Sequence, residues 1–303
     1  MCGAQRPCCG YDLSLKHSRR KAPTMKVVFC IDDNPRYLLM LRVAVRSLRL
    51  LHPDITCVCV YAGDDTGVMD AVREEGVLLA RYRPVLDATT IPAAFHRCIG
   101  CFLKLELALV PELAAESHVL YCDSDVLFRR PLDDLLALRP PYMGMAREDT
   151  APFFHDHAEL DYMWRGRRYV VPLPFPIWTY SSGVVLFNLE RLRRHDHVHN
   201  FLAFCAGNVQ RIGNLDQSLL NYFFGKRITK LDPRWNCPPY RQAALAEGRI
   251  IHFHGPKPWD TGQALWRDLR INHYGVLREE WLDWLTPEER SLVRGWEAST
   301  HDA

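Results

Sequence analysis

His118-Val119-Leu120-Tyr121-Cys122-Asp123-Ser124-Asp125-Val126-Leu127-Phe128 is a short apolar run that delivers two carboxylates, one residue apart, into the loop behind it. Apolar runs of this length flanked by polar residues read as buried strands. Such a strand has no structural use for two adjacent anions at its C-terminal end. Like charges at that spacing repel, and each raises the other's pKa unless a cation lies between them. A divalent metal resolves the conflict, because hard cations take carboxylate oxygens and often keep phosphate oxygens as further ligands. The alternative for an isolated Asp-x-Asp is a solvated turn, so the rest of the chain has to decide.

Upstream, Lys26–Ile31 reads as a strand ending in Asp32-Asp33-Asn34. Pro35 then opens a helix to about Leu51, with Asn34 as its N-cap and proline at the first helical position. Ile55–Ala62 and Val77–Arg83 read as strands around a helix Thr66–Glu75, and Pro92–Leu109 is helical by its apolar spacing. Strands alternating with helices imply parallel βαβ units, hence an α/β protein with a doubly wound sheet. Ligands bind such sheets beyond the carboxyl ends of the strands, which places Asp32 with Asp123 and Asp125 at one crevice. Downstream the pattern is less regular. Tyr142–Ala146 reads as a strand, and a proline- and aromatic-rich stretch runs from Pro152 to Trp178. Ser181-Ser182-Gly183 leads into a strand Val184–Asn188, helices follow at Glu190–Cys205 and Asp216–Phe224, and Arg249–Phe253 is a last strand.

Composition excludes several classes. The chain has 303 residues, 48% hydrophobic and 24% charged, with a net charge of +2, so nothing global points to nucleic acid. No apolar run approaches the roughly 18 residues that a membrane helix needs. The eleven cysteines are an odd number, and Cys57 and Cys59 alternate with valines as small core hydrophobes do. Cys98-Ile99-Gly100-Cys101 has no second pair at zinc-ribbon spacing, which favours reduced thiols in a cytosol-like compartment. Residues 1–24, with a basic cluster and no signal-peptide core, are expected to form a disordered arm, and Met25 is an alternative start. Residues 261–303 carry Trp266, Trp281, Trp284 and Trp296 among many charges and are expected to form helices packed on the body rather than a membrane-surface anchor.

The chemistry gathers again at His252-Phe253-His254-Gly255-Pro256-Lys257-Pro258-Trp259. Imidazole is a common metal ligand, glycine lets a backbone N–H approach an anion, and lysine brings a point charge to phosphate. Together with the Asp-x-Asp they describe a metal–diphosphate site. Asp216-Gln217 opens a helix, where Asp is also simply a favoured N-cap residue.

These motifs, in this order, resemble the family 8 glycosyltransferases, which include bacterial lipooligosaccharide galactosyltransferases and glycogenin. The likeness runs from about Lys26 to Trp259. Val28–Asn34 resembles the family's nucleotide-binding strand and turn, Phe102–Leu105 its donor-facing basic segment, and Tyr121–Leu127 its Asp-x-Asp. Ser182–Leu189 resembles its Gly-Val strand, Leu215–Asn221 its Asp-Gln helix, and His252–Trp259 its ending. The resemblance implies a GT-A fold: a Rossmann-like, mostly parallel central sheet flanked by helices. It also implies a UDP-sugar donor (galactose or glucose), Mn²⁺ with Mg²⁺ as the alternative, a glycan acceptor, and retention of anomeric configuration. Asp123, Asp125 and His252 would be the metal ligands, and Asp32 and Asn34 would meet the uridine. Lys104, Gly255 and Lys257 would serve the donor phosphates, and Ser181, where relatives often carry asparagine, the donor sugar. Asp216 and Gln217 would lie near the anomeric carbon. The last motif is one residue short between Gly255 and Lys257. On this reading residues 25–260 are the transferase domain and 261–303 a helical extension. The setting would be bacterial surface glycan synthesis, in the cytoplasm or at the inner face of the membrane.

Two rivals remain. A HAD-type phosphatase also places Asp-x-Asp after a strand, and Tyr61–Asp65 resembles its acidic loop, but that loop precedes the Asp-x-Asp here, the reverse of HAD order. A non-catalytic sugar-nucleotide-binding protein would have no need of an intact set of metal, phosphate and sugar positions.

Overall fold

Seven strands make the central sheet, in the order β10-β6-β9-β4-β1-β2-β3. The computed structural model describes residues 25–87, 93–147, 159–164, 167–172, 180–209, 215–241, 243–255, 257–260 and 272–301. The N-terminal arm, the loop to Trp178 apart from one hairpin, and Trp266 lie outside them. β1 (Lys26–Ile31) pairs in parallel with β2 (Cys57–Tyr61) and β4 (His118–Cys122), and β2 with β3 (Leu78–Arg81). β9 (Tyr180–Asn188) runs antiparallel between β4 and β6 (Met143–Arg147), and β10 (Ile228–Leu231) pairs in parallel with β6 at the edge. A small antiparallel pair joins β5 (Val126–Phe128) to β11 (Ile250–His252), and β7 (Glu159–Trp164) and β8 (Arg167–Pro172) form a hairpin.

The strands are apolar at nearly every position because the sheet is covered on both faces. Their period of two divides the side chains between two cores. Val28, Cys30, Val58 and Val60 face one core, shared with the helix Ala93–Leu109 and with α5 (His197–Asn208) and α6 (Leu215–Phe224). Val27, Phe29, Ile31, Cys57 and Cys59 face the other, which α1 (Pro35–Leu51) and α2 (Thr66–Glu74) cover. The opposite side of α1 (Leu39, Met40, Val43) packs against the C-terminal helices Asn272–Leu282 and Pro287–His301 through Leu277, Trp281 and Val293. Trp281 is fully buried and meets the Trp259 ring edge-on. No helix among the described residues is long and apolar enough to cross a membrane.

Three local features depart from the sequence reading. The segment read as one helix from Glu190 to Cys205 is two helices, Leu189–Arg193 and α5, joined by a turn in which His195 and Asp196 both adopt φ 55. That left-handed conformation breaks the helix, and Asp is among the side chains that tolerate it. The helix Ala93–Leu109 is wound with tighter 3₁₀ spacing. β5, β7, β8 and β10 were not expected from apolar patterning, being short or set in loop-like composition.

Candidate active site

The Asp-x-Asp turn is stitched into place through its backbone. The Asp123 N–H donates to the Gly183 carbonyl of β9 at 2.8 Å, and the Phe253 N–H donates to the Asp125 carbonyl at 2.9 Å. The β5–β11 register sets Val126 opposite His252, so the end of β11 arrives beside Asp125. His252 Nε2 lies 3.2 Å from Asp125 Oδ1 and 3.5 Å from Asp123 Oδ2, and its Nδ1 shares a hydrogen bond with Asn236 Oδ1 at 2.9 Å. His252 and Asp125 are buried, and Asp123 is partly exposed. One ligand atom from each of Asp123, Asp125 and His252 falls within 4.8 Å of the others. Two carboxylates and an imidazole nitrogen suit a hard divalent ion such as Mn²⁺ or Mg²⁺, and their convergence from separate segments fits that group. Gly183 is a condition of this geometry, since a Cβ there would stand 2.0 Å from the His252 Cε1.

Three charged side chains complete the cluster. Lys257 Nζ reaches Asp125 Oδ2 at 2.5 Å and the Phe253 carbonyl at 3.0 Å. Gly255, at φ 86, turns the chain so that the lysine two residues on can return to the carboxylate. The shortened spacing therefore keeps Lys257 in the site. Burial alone would raise the Asp125 carboxyl, but the Lys257 ammonium and the His252 ring outweigh it and hold the group well below the usual carboxylate range. Lys104 is 1% exposed and bridges Asp123 Oδ1 and Asp216 Oδ2, each at 2.8 Å. Burial pushes the Asp216 carboxyl up in spite of the Lys104 charge. Gln217 Oε1 accepts from the Ser182 N–H at 3.1 Å, and Asn221 clamps Tyr180 by both its N–H and its carbonyl. The start of α6 is thereby fastened to the start of β9, with buried Ser181 between them.

Asp32 and Asn34 stand at the end of β1. Asp32 accepts from the Asn34 and Gly100 N–H groups at 3.0 and 3.1 Å, and burial raises its carboxyl. Asn34 caps α1, its Oδ1 accepting from the Arg36 N–H at 3.0 Å. The helix Ala93–Leu109 thus ties both parts of the crevice together, through the Gly100 amide to Asp32 and through Lys104 to Asp123. Tyr121, Gly183 and Asn236 were not singled out as site residues in the sequence. Burial keeps the Tyr121 phenol protonated, and it donates to Asp123 Oδ1. Asp123 lies one residue past the end of β4 and two after Tyr121, so the strand's alternation carried on through it sets both side chains on the same face, a signal that was available. Asn236 lies in a loop with no motif to mark it.

The family model of glycosyl transferase family 8 matches residues 26–262. The chain belongs to glycosyl transferase family 8. This family 8 chain is 28% identical over 210 residues to Glucoside xylosyltransferase 1 of Rattus norvegicus, a match covering 64% of the chain and 44% of that protein. It is 25% identical over 169 residues to Glycosyltransferase GlyB of Streptococcus pneumoniae, covering 50% and 36%. The chain therefore spans less than half the length of these curated relatives. Among solved structures it resembles galactosyltransferase LgtC in complex with donor and acceptor sugar analogs, with a TM-score of 0.65, 23% identity, and coverage of 88% of this chain and 99% of that one. That likeness establishes the GT-A-like fold.

Proposed function

We propose that this chain is a metal-dependent, retaining hexosyltransferase that moves galactose or glucose from a UDP-sugar to a glycan acceptor. The observation that supports it best is the joining of Asp123, beside Asp125, His252 and Lys257, to Asp216 through one buried lysine, with Gln217 next to Asp216 on α6. A diphosphate and the sugar it carries need those two groups side by side. In the reaction the bond from the anomeric carbon to the β-phosphate oxygen breaks, and a bond from that carbon to the acceptor oxygen forms. The acceptor proton goes to the departing UDP. Mn²⁺, held by Asp123, Asp125 and His252, would supply Lewis-acid stabilisation of the charge developing on the diphosphate.

The chain's own residues do the rest. Lys257 places a preorganised positive charge where the leaving group becomes more anionic. Gly255 leaves room for a phosphate oxygen to approach the backbone, and Asp32 and Asn34 meet the uridine. Lys104 is assigned a supporting role rather than direct phosphate contact, because it is buried with a carboxylate on either side. Gln217, Asp216 and Ser181 face the donor sugar, where an amide or carboxylate oxygen stabilises the oxocarbenium-like centre. With no further carboxylate among the described residues marked as an acceptor base, the departing phosphate takes the proton on the same face, which retains the configuration. A bacterial surface glycan as acceptor, met at the cytoplasmic face of the membrane, extends this reading by analogy. The match to a xylosyltransferase also adds a pentose to the donors worth testing.

The test is UDP release from UDP-galactose, UDP-glucose and UDP-xylose with Mn²⁺ present, followed by proton NMR of the anomeric signal in the first product formed. One hexose donor is expected to be preferred and to give an α-linked product. A β-linked product would overturn the roles given to Asp216 and Gln217. No turnover of any UDP-sugar would overturn the reading as a whole.

A further inference from the structure

We infer that Asn236 is the positioning residue that fixes the tautomer and ring orientation of His252, leaving Nε2 as the nitrogen free to hold a metal. This rests on the metal site proposed above. Asn236 follows the 3₁₀ turn Pro233–Trp235, whose first residue is preceded by Asp232, an acceptor for the Arg234 N–H at 2.9 Å. The next residue is zipped to β11. The Cys237 N–H donates to the Ile250 carbonyl at 2.9 Å, and the His252 N–H donates to the Cys237 carbonyl at 3.0 Å. The Asn236 backbone is thereby held in register with His252, and its side chain is 4% exposed.

An amide oxygen only accepts hydrogen bonds, so its 2.9 Å contact with Nδ1 requires a proton on that nitrogen. In a neutral imidazole the lone pair then sits on Nε2, the nitrogen facing Asp125 Oδ1 and Asp123 Oδ2. Without Asn236 the preference would reverse. Two carboxylates 3.2 and 3.5 Å from Nε2 would draw the proton to that nitrogen, the one a metal needs bare. Asn236 supplies the competing acceptor on the far side of the ring. Gly183 closes another side, since a Cβ there would come within 2.0 to 2.7 Å of Cε1, Nδ1 and Nε2. The same loop also grips the next histidine, Tyr240 sharing a 2.9 Å hydrogen bond with His254 Nε2. One segment thus orders both imidazoles of the His252-Phe253-His254 stretch.

The experiment uses the full chain and Mn²⁺ alone, with free ion counted by electron paramagnetic resonance. Wild type is compared with Asn236→Leu, which keeps the branched shape and removes the acceptor, and with Asn236→Asp, which restores an acceptor oxygen. Asn236→Ala, which also lacks an acceptor, serves in its place if the leucine variant does not melt cooperatively. Loss of an outer partner typically costs about 10–100-fold in metal affinity, and that loss is expected for the leucine variant, with the aspartate variant within about threefold of wild type or tighter. A second readout is the ¹⁵N shift pattern of His252 at about pH 8, above the ordinary imidazole range. It should report Nδ1–H in wild type and a shift toward Nε2–H in the leucine variant. Unchanged Mn²⁺ affinity and an unchanged tautomer in that variant would overturn the inference. If His252→Ala binds Mn²⁺ as wild type does, the metal-site reading fails instead, and the tautomer pattern still decides whether Asn236 governs the ring.

Discussion

Replacing Lys104 with methionine removes one charge from the middle of the molecule and strands two others. The Lys104 ammonium is almost fully buried, 2.8 Å from an oxygen of Asp123 and 2.8 Å from one of Asp216, and it also donates to the Ser182 carbonyl at 3.3 Å. Methionine fills most of the volume, so the cavity term is small. Asp123 keeps the Tyr121 hydroxyl as a donor and is partly exposed, whereas Asp216 is buried and loses its cation. Breaking a buried pair by removing one partner costs about 3–5 kcal/mol. For a chain of this size that corresponds to a fall in melting temperature on the order of 10 °C. Without the lysine, the Asp216 carboxyl, already raised by burial, rises further above its unfolded value. A group raised in this way favours the fold below its unfolded pKa and weakens it as pH climbs. The deficit of Lys104→Met should therefore shrink on acidification, and Lys104→Met/Asp216→Asn should recover part of the loss. Urea unfolding monitored by tryptophan fluorescence measures all of this. A loss under about 1 kcal/mol, the scale of an exposed ion pair, with no gain in the double variant, would refute the buried bridge.

Gly183→Ala should lower Mn²⁺ affinity while costing about 1–3 kcal/mol of stability, because the new methyl displaces the His252 ring; unchanged metal binding would show that the ring does not rest on β9. Lys257→Ala should slow turnover at saturating donor by the equivalent of about 2–4 kcal/mol of leaving-group stabilisation, and a change under about threefold would remove it from the reaction. Glu289 is buried under Arg42 and Arg46 and takes the Thr286 N–H, and these outweigh burial to hold its carboxyl below the usual glutamate value. A depressed pKa adds stability above the unfolded value, lost as pH falls through the folded one. Glu289→Gln should therefore flatten the acid limb of the stability curve below about pH 4.5, and an unaltered limb would discount this clamp.

Much of the site could be read from the sequence because its chemistry is concentrated. Asp123-Ser124-Asp125 and His252–Lys257 put charged or ligating side chains beside strand-like apolar runs, a pattern that burial alone does not explain. The first three parallel strands were legible because each is an apolar run followed by a helix, and β4 because its apolar run ends in the Asp-x-Asp turn. The antiparallel course of β9 was not, since Tyr180–Asn188 is buried on both faces and its apolar pattern carries no direction. The break at His195-Asp196 escaped because helical apolar spacing stands on either side of it, Leu189 and Leu192 before and Val198, Phe201 and Leu202 after. Lys104 looked like a donor for phosphate. Its bridge to Asp216 joins segments more than a hundred residues apart, and only the folded chain supplies that neighbour. Asn236 was invisible for the opposite reason, being a neutral residue in a loop whose value lies wholly in what β11 brings beside it.

The most direct measurement is UDP release from the preferred UDP-hexose by wild type, Asp125→Asn and His252→Ala, each with Mn²⁺ and with excess EDTA. Wild type should turn over only with Mn²⁺, and both variants should lose that activity while melting as cooperatively as wild type. Undiminished turnover in EDTA, or full activity in both variants, would contradict a metal held by Asp123, Asp125 and His252.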